Sequence, residues 1–251
     1  MGALHRGHAE LLKRGRRAGD VLVLSVFVNP TQFGPREDFR KYPRTLRADL
    51  KIARSCGVDI VFFPNAASIY PEGYKTHVEV SDLTRELCGK SRPGHFRGVA
   101  TVVLKLFNLV QPDVALFGLK DFQQCAVIKK MVKDLDLPVK IVGVPTVRDR
   151  DGVALSSRNA YLSAEERGAA RSLSRSLFRV RREVQRGARD LSALLRKIRS
   201  EIVSTRGGRV DYVSCVDAEE ITPLKKYRPR RTLFAVAAYF GKTRLIDNLV
   251  V

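Results

Sequence analysis

No apolar run in this 251-residue sequence is long enough to cross a bilayer. The longest, VLVLSVFV at 21–28, falls far short of the roughly 20 residues that a membrane helix needs. The start has no apolar h-region, so no secretory signal is read. A soluble, cytoplasmic chain with no membrane partner is expected. Cysteine is scarce and scattered, at Cys56, Cys88, Cys125 and Cys215. No CxxC pair or Cys/His spacing occurs, which argues against a zinc site or a disulfide framework and predicts buried free thiols. Acidic residues are also short: 26 Asp+Glu face 46 Lys+Arg, a net charge of +20. Such a balance fits nucleic acid, acidic surfaces or anionic small molecules. No RRM, KH, zinc-finger or aromatic-interleaved basic pattern is present, so nucleic acid is not an expected partner. Much of the arginine excess lies in stretches such as RVRREVQRGAR (179–189) and KKYRPRR (225–231), which read as solvated basic faces.

What is there is a globular composition, 44% hydrophobic. Residues 21–28 and VDIVFFP (58–64) read as buried strands, with a helical stretch over 45–57 between them that Gly57 can stop. A helix is predicted over 98–110, a strand over 112–118, a helix over 124–135 and a strand over 139–145. Strands alternating with helices predict an α/β fold with a doubly wound, Rossmann-like parallel sheet. The pattern changes near 145–163. Ser163 and Glu166 have capping-box spacing, and Leu173, Leu177, Val180 and Val184 mark an amphipathic helix. Asp190 can cap another. Runs 209–217, 232–240 and 243–251 predict a three-stranded antiparallel sheet, with a hairpin at Gly241-Lys242. Two domains are expected: 1–145, and a smaller α+β domain over 146–251.

Polar residues cluster where the predicted strands end. His5 and His8 share a face if a helix begins near Gly7, and a helix N-terminus suits phosphate. The alternative is a pair of surface histidines. FVNPTQF (27–33) carries Asn29 and Gln32, able to grip hydroxyls or a carboxylate, or else to form a capped turn. GKSRPGHFRGV (89–99) reads as a flexible basic loop with Arg92 and His95. FGLKDFQQ (117–124) offers Gly118, Lys120, Asp121 and Gln124, or merely an Asp cap with an exposed Lys. Arg148, Ser156, Ser157 and Arg158 form a dense set of anion donors. In a parallel sheet the strand ends share one edge, so these groups should converge on one crevice.

MGALHRGH, FVNPTQF, YPRT (42–45), RPGHFRGV, FGLKDFQQ and VPTVRDRDGVALSSRNAYLS, in this order, closely resemble the pantoate–β-alanine ligase (pantothenate synthetase) family. HxGH alone would suggest any HIGH-type nucleotidyltransferase; the ordered set is more specific. The resemblance implies an AMP-forming ligase that takes ATP with Mg²⁺, makes pantoyl adenylate and passes the acyl group to β-alanine. It implies that Met1, Gly2, Ala3, Leu4, His5, Arg6, Gly7 and His8 line the ATP site, with His8 as proton donor or charge stabiliser. Gly118, Leu119, Lys120 and Asp121 would bind ATP, completed by Val147, Leu155, Ser156, Ser157 and Arg158. His5, Lys120, Ser156, Ser157 and Arg158 would share the catalytic role with His8. Gln32 and Gln124 would hold pantoate, with Asn29, Arg92 and His95 near the substrates. No protein metal ligand is implied, and a homodimer is.

Two departures stand out. Leu119 occupies a position where the family usually has Glu. The family also has a segment before MGALH that contains the first sheet strand. That strand is central in a doubly wound sheet, and each buried backbone group left unpaired costs about 1–3 kcal/mol. The expectation is that Met1 is an internal methionine and that the 251-residue form folds poorly or has low activity. A truncated inactive relative, or a HIGH-type nucleotidyltransferase acting on another acid, is the alternative.

Overall fold

The structure, a computed structural model, describes residues 1–35 and 37–251. The chain alternates as expected. Helix α1 (Arg6–Arg16) leads to β1 (Val23–Ser25), α2 (Leu46–Ser55) and β2 (Ile60–Phe62). Short helices α3 (Ala66–Ile69) and α4 (Leu87–Ser91) precede α5 (His95–Val110). Then come β3 (Val114–Gly118), α6 (Phe122–Asp134) and β4 (Lys140–Val144). Helices α7 (Ala164–Gln185) and α8 (Leu191–Val203) precede the strands β5 (Gly208–Asp217), β6 (Thr232–Phe240) and β7 (Thr243–Val250).

Local signals set the helix ends. The Ser163–Glu166 capping box forms in both directions at the start of α7, and the Asp190 carboxylate caps α8. Gly57, at φ +73°, follows α2 in the left-handed conformation that stops helices. The predicted flexible loop at 89–99 is instead an elbow between two helices. Helix α4 ends at Ser91, and α5 begins at His95 behind Pro93 and Gly94, with Gly94 at φ +80°. Proline blocks helix continuation and glycine supplies the left-handed step.

The parallel strands form two pairs, β1–β2 and β3–β4, rather than one continuous ladder among the described residues. Met1 runs along the second edge of β1. Its amino group donates to Ser25 O at 2.8 Å, and its carbonyl accepts from Phe27 N–H at 2.9 Å. The antiparallel sheet has the order β5-β6-β7, and β6 is buried along nearly its whole length. One apolar cluster joins α5, α6 and Ile69 to Val216, Ile221, Leu233 and Ala235. A second fills the space between α7, α8 and the antiparallel sheet. The four cysteines are free and buried. No helix is long and apolar enough to cross a membrane among the described residues.

Candidate active site

The MGALH turn is held in an unusual shape. Ala3 has φ +48°, a left-handed conformation that a side chain disfavours. Its N–H and that of Leu4 both donate to the Asp49 carboxylate, at 3.1 and 2.8 Å. Asp49 is buried in α2 and also accepts from Thr45 Oγ1 at 3.0 Å. Strain at a turn persists only where neighbours over-determine it, and Asp49 does so here.

His5 is the N-cap of α1 and His8 its third residue, and together they make a reciprocal capping box. His5 Nδ1 accepts from Gly7 N–H at 3.1 Å, and His8 Nδ1 accepts from His5 N–H at 3.3 Å. A ring nitrogen that accepts carries no proton, so in the neutral form both rings bear hydrogen on Nε2. The rings stack with centroids 4.0 Å apart. Burial, then the charge on Lys120, lowers the His5 pKa to about 4. Burial, then His5, the amino terminus and Lys120, lowers His8 to about 3. Both imidazoles are therefore neutral N–H donors at pH 7, set at a helix N-terminus. Neutral N–H groups held in this way can donate hydrogen bonds to charge that develops nearby.

The turn after β3 brings Lys120 toward this pair. Lys120 Nζ lies 3.7 Å from Asp121 Oδ1. Asp121 occupies the N-cap position of α6, but its carboxylate makes no capping bond, so the simple Asp-cap reading does not hold. Leu119 packs against Gly143, where a Cβ would lie 2.8 Å from Leu119 Cδ2. A Cβ at Gly118 would meet only Leu11 Cδ1, at 3.9 Å, so packing does not dictate glycine there.

The hairpin after β4 supplies the opposite wall. Val147 O accepts from Leu155 N–H at 3.0 Å, and Leu155 Cβ lies 3.6 Å from where a Gly7 Cβ would be. Ser156 caps the 3₁₀ turn Ser157–Tyr161, and Ser157 Oγ lies 2.9 Å from Tyr42 Oη. Arg158 grips Asp38 through two bonds of 2.9 and 2.7 Å. Burial works against the Arg158 charge, but Asp38 more than offsets it, and the pKa is raised. Arg148 differs from the anion-binding role expected of it. Its guanidinium is bidentate on the buried Asp247, at 2.6 and 2.9 Å.

A cleft is lined by Arg92, His95, Lys120, Gln124, Ser156 and Arg158, among others. Three residues expected near the substrates are spent on protein partners. Asn29, 2% exposed, accepts from Tyr70 Oη at 2.8 Å and donates to Gly98 O at 3.1 Å and Gln32 Oε1 at 3.3 Å. Its amide is held by these protein partners and lies against Gln32. Arg92 pairs with Glu37 at 2.5 Å and donates to Gln32 O at 3.2 Å. It also lies 3.1 Å from His95 Nε2, and an arginine only donates, so that nitrogen accepts and His95 Nδ1–H donates to Gln32 O at 2.8 Å. Burial, then Arg92, lowers His95 to about 4. Gly98 makes this bracket possible, since a Cβ there would sit 2.4 Å from Thr31 O. Gln124 lines the cleft and, among the described residues, its amide has no partner. Sequence reasoning gave no role to Glu37, Asp38, Tyr42, Asp49 or Asn248. Only Tyr42 carried a signal, as part of YPRT.

The family model for pantoate-beta-alanine ligase matches residues 1–250. The chain belongs to the pantoate–β-alanine ligase family. It is 52% identical to the pantothenate synthetase of Moorella thermoacetica, over all of this chain and 88% of that relative. It is 54% identical to that of Heliobacterium modesticaldum, over 100% of this chain and 89% of the relative. The crystal structure of pantothenate synthetase from Thermus thermophilus superposes with a TM-score of 0.96, at 47% identity, covering 100% of this chain and 90% of that one. A pantoate–β-alanine ligase from Francisella tularensis, complexed with beta-gamma ATP and β-alanine, superposes with a TM-score of 0.80 at 37% identity, covering 100% of this chain and 87% of that one. Family-level identity along the whole chain favours an active ligase over an inactive relative or another nucleotidyltransferase.

Proposed function

We propose that this chain joins pantoate to β-alanine using ATP, through a pantoyl-adenylate intermediate. The observation that carries the reading is the neutral, stacked His5–His8 pair beside Lys120, with each Nε2–H left to donate. A pantoate carboxylate oxygen bonds to the α-phosphorus of ATP, and the bond to pyrophosphate breaks. The β-alanine amine then attacks the acyl carbon, the bond to AMP breaks, and the amine loses a proton as the amide forms.

His8 and His5 donate to the phosphates, Lys120 adds a point charge, and Ser156, Ser157 and Arg158 close over the polyphosphate. Preorganised donors of this kind stabilise charge where it develops, typically by several kcal/mol in all. Met1 to Leu4, Arg6 and Gly7 form the nucleotide-facing turn. Gly118, Leu119 and Asp121 with Val147 and Leu155 complete it. The bare backbone at Gly118 leaves room for close ligand approach. Gln32 and Gln124 take the pantoate hydroxyls and carboxylate. Asn29, Arg92 and His95 support Gln32. Mg²⁺ would arrive on the ATP phosphates.

Residues 1–145 would carry the substrates and 146–251 the covering hairpin. The exposed Val21, Ile60 and Phe63, on and beside the edge strand β2, suit a homodimer contact. Consumption of ATP and four free thiols suit the cytoplasm. The test is formation of pantothenate and AMP from ATP, Mg²⁺, pantoate and β-alanine. Activity that does not depend on β-alanine would point to another acid-activating enzyme.

A further inference from the structure

Strand β7 is an edge strand of the antiparallel sheet, and an edge leaves backbone and side-chain donors that need partners. Here the partners lie in the turn after β3. The Asn248 amide nitrogen donates to two successive carbonyls, Leu119 O at 3.0 Å and Lys120 O at 2.8 Å. Its own backbone N–H donates to Asp247 Oδ1 at 2.8 Å. Asp247, with a side chain 1% exposed, holds Arg148 at the base of the hairpin that leads to Ser156 and Arg158. Two consecutive residues of one strand thus grip two turns that line the same cleft.

The geometry is specific to Lys120. The carbonyls of Leu119 and Lys120 belong to the two peptide planes on either side of the Lys120 Cα. Fixing both planes from one nitrogen fixes the direction in which the lysine side chain leaves the backbone. The turn is a single 3₁₀ step, Leu119–Asp121, with no side-chain cap of its own. It therefore depends on outside support.

We propose that Asn248 is a positioning residue for Lys120, setting the ammonium group against the nucleotide phosphates. The proposal rests on the ligase reading above. Asn248 acts through Lys120 and needs no contact with the substrates.

Asn248→Ala removes both donors, and Asn248→Asp keeps the size but turns a carboxylate toward two carbonyls. Asn248→Ala should raise the KM for ATP about tenfold. The KM for pantoate should stay within about twofold, and Asn248→Asp should be the worse of the two. The deciding arm is a double-mutant cycle. In a Lys120→Ala background, Asn248→Ala should change the KM for ATP by less than about twofold. An additive loss there would make Asn248 a merely structural residue and overturn the proposal. A second readout does not depend on turnover. Amide hydrogen exchange at 119–122 should quicken about tenfold in Asn248→Ala, and unchanged exchange would also overturn it. If the wild-type chain forms no pantothenate, the ligase reading fails. The exchange arm still decides whether Asn248 holds the turn. Should Asn248→Asp not melt cooperatively, the alanine variant carries every arm.

Discussion

Two histidine-bearing segments of this molecule look alike in sequence and behave differently in the fold. HRGH at 5–8 and RPGH at 92–95 both set imidazoles among glycine and arginine, at the start of a helix. In the first, one nitrogen of each ring caps the helix and the other stays free to donate. In the second, both nitrogens of His95 are consumed, by Arg92 and by Gln32 O. The difference shows that a polar residue at a strand or helix end serves chemistry only with its unspent donors. Burial lowers the pKa in both segments, so the distinction lies in hydrogen-bond bookkeeping rather than in charge state.

The comparison can be broken most sharply at His8. His8→Ala should lower kcat/KM by about 10²–10³-fold, the usual loss for a donor aimed at developing charge. Its stability cost should stay near 1 kcal/mol, because one capping bond is lost. Equal activity would remove the donor role. His95→Gln and Arg92→Met should show the opposite balance. Arg92 and Glu37 are a largely enclosed pair, so Arg92→Met should cost about 2–3 kcal/mol in a denaturant titration. Its kcat/KM should fall by no more than about tenfold, through a less well held Gln32. A loss as large as that of His8→Ala, with the melt unchanged, would put Arg92 on the substrate instead.

Acid provides a third probe. The ordinary histidine pKa is 6.5, and the folded chain holds His5 and His95 at about 4 and His8 at about 3. Across that window the unfolded chain binds more protons than the folded one. Stability therefore rises with pH up to about 6.5 and is lost as pH falls below it. The melting temperature should decline from pH 6.5 toward 4, and His95→Gln should flatten that slope while leaving catalysis largely intact. The kcat/KM for ATP, which reports groups in the free enzyme, should show no ionisation of His8 near 6.5. A loss of kcat/KM centred there on raising the pH would make His8 an imidazolium acid. The smallest effect is expected at Asp49. Asp49→Asn keeps one acceptor oxygen but turns an NH2 donor toward the other N–H, so one of the Ala3 and Leu4 bonds is lost, and it should cost about threefold to tenfold in kcat/KM with a Tm drop of a few degrees.

The elements were legible where the signal is local. The β-branched runs gave β1, β3 and β4, helical spacing gave α2 and α7, and Ser163 with Glu166 gave a cap. Gly241 gave the final hairpin, at φ +57°. The polar residues on turns after strands were legible for the same reason. The supports were not. Asp49 reaches Leu4 across 45 positions, Tyr42 reaches Ser157 across 115, and Asn248 reaches Leu119 across 129. No periodicity or spacing records such partners, because each sits on an element whose own pattern is complete without them. Arg148 misled for a related reason. Its guanidinium suits an anion, and the anion it meets is Asp247.

Asn248 also governs when the site comes into being. The histidine cap closes within a few residues, and the Asp49 bracket closes early in the chain. The Lys120 turn cannot be locked until β7 has paired with β6, after all but the last few of the 251 residues have been made. Contacts of such long sequence separation form late in folding. The Lys120 turn is therefore the last part of the site to be fixed, and no nascent fragment ending before the last strand would hold Lys120 in place.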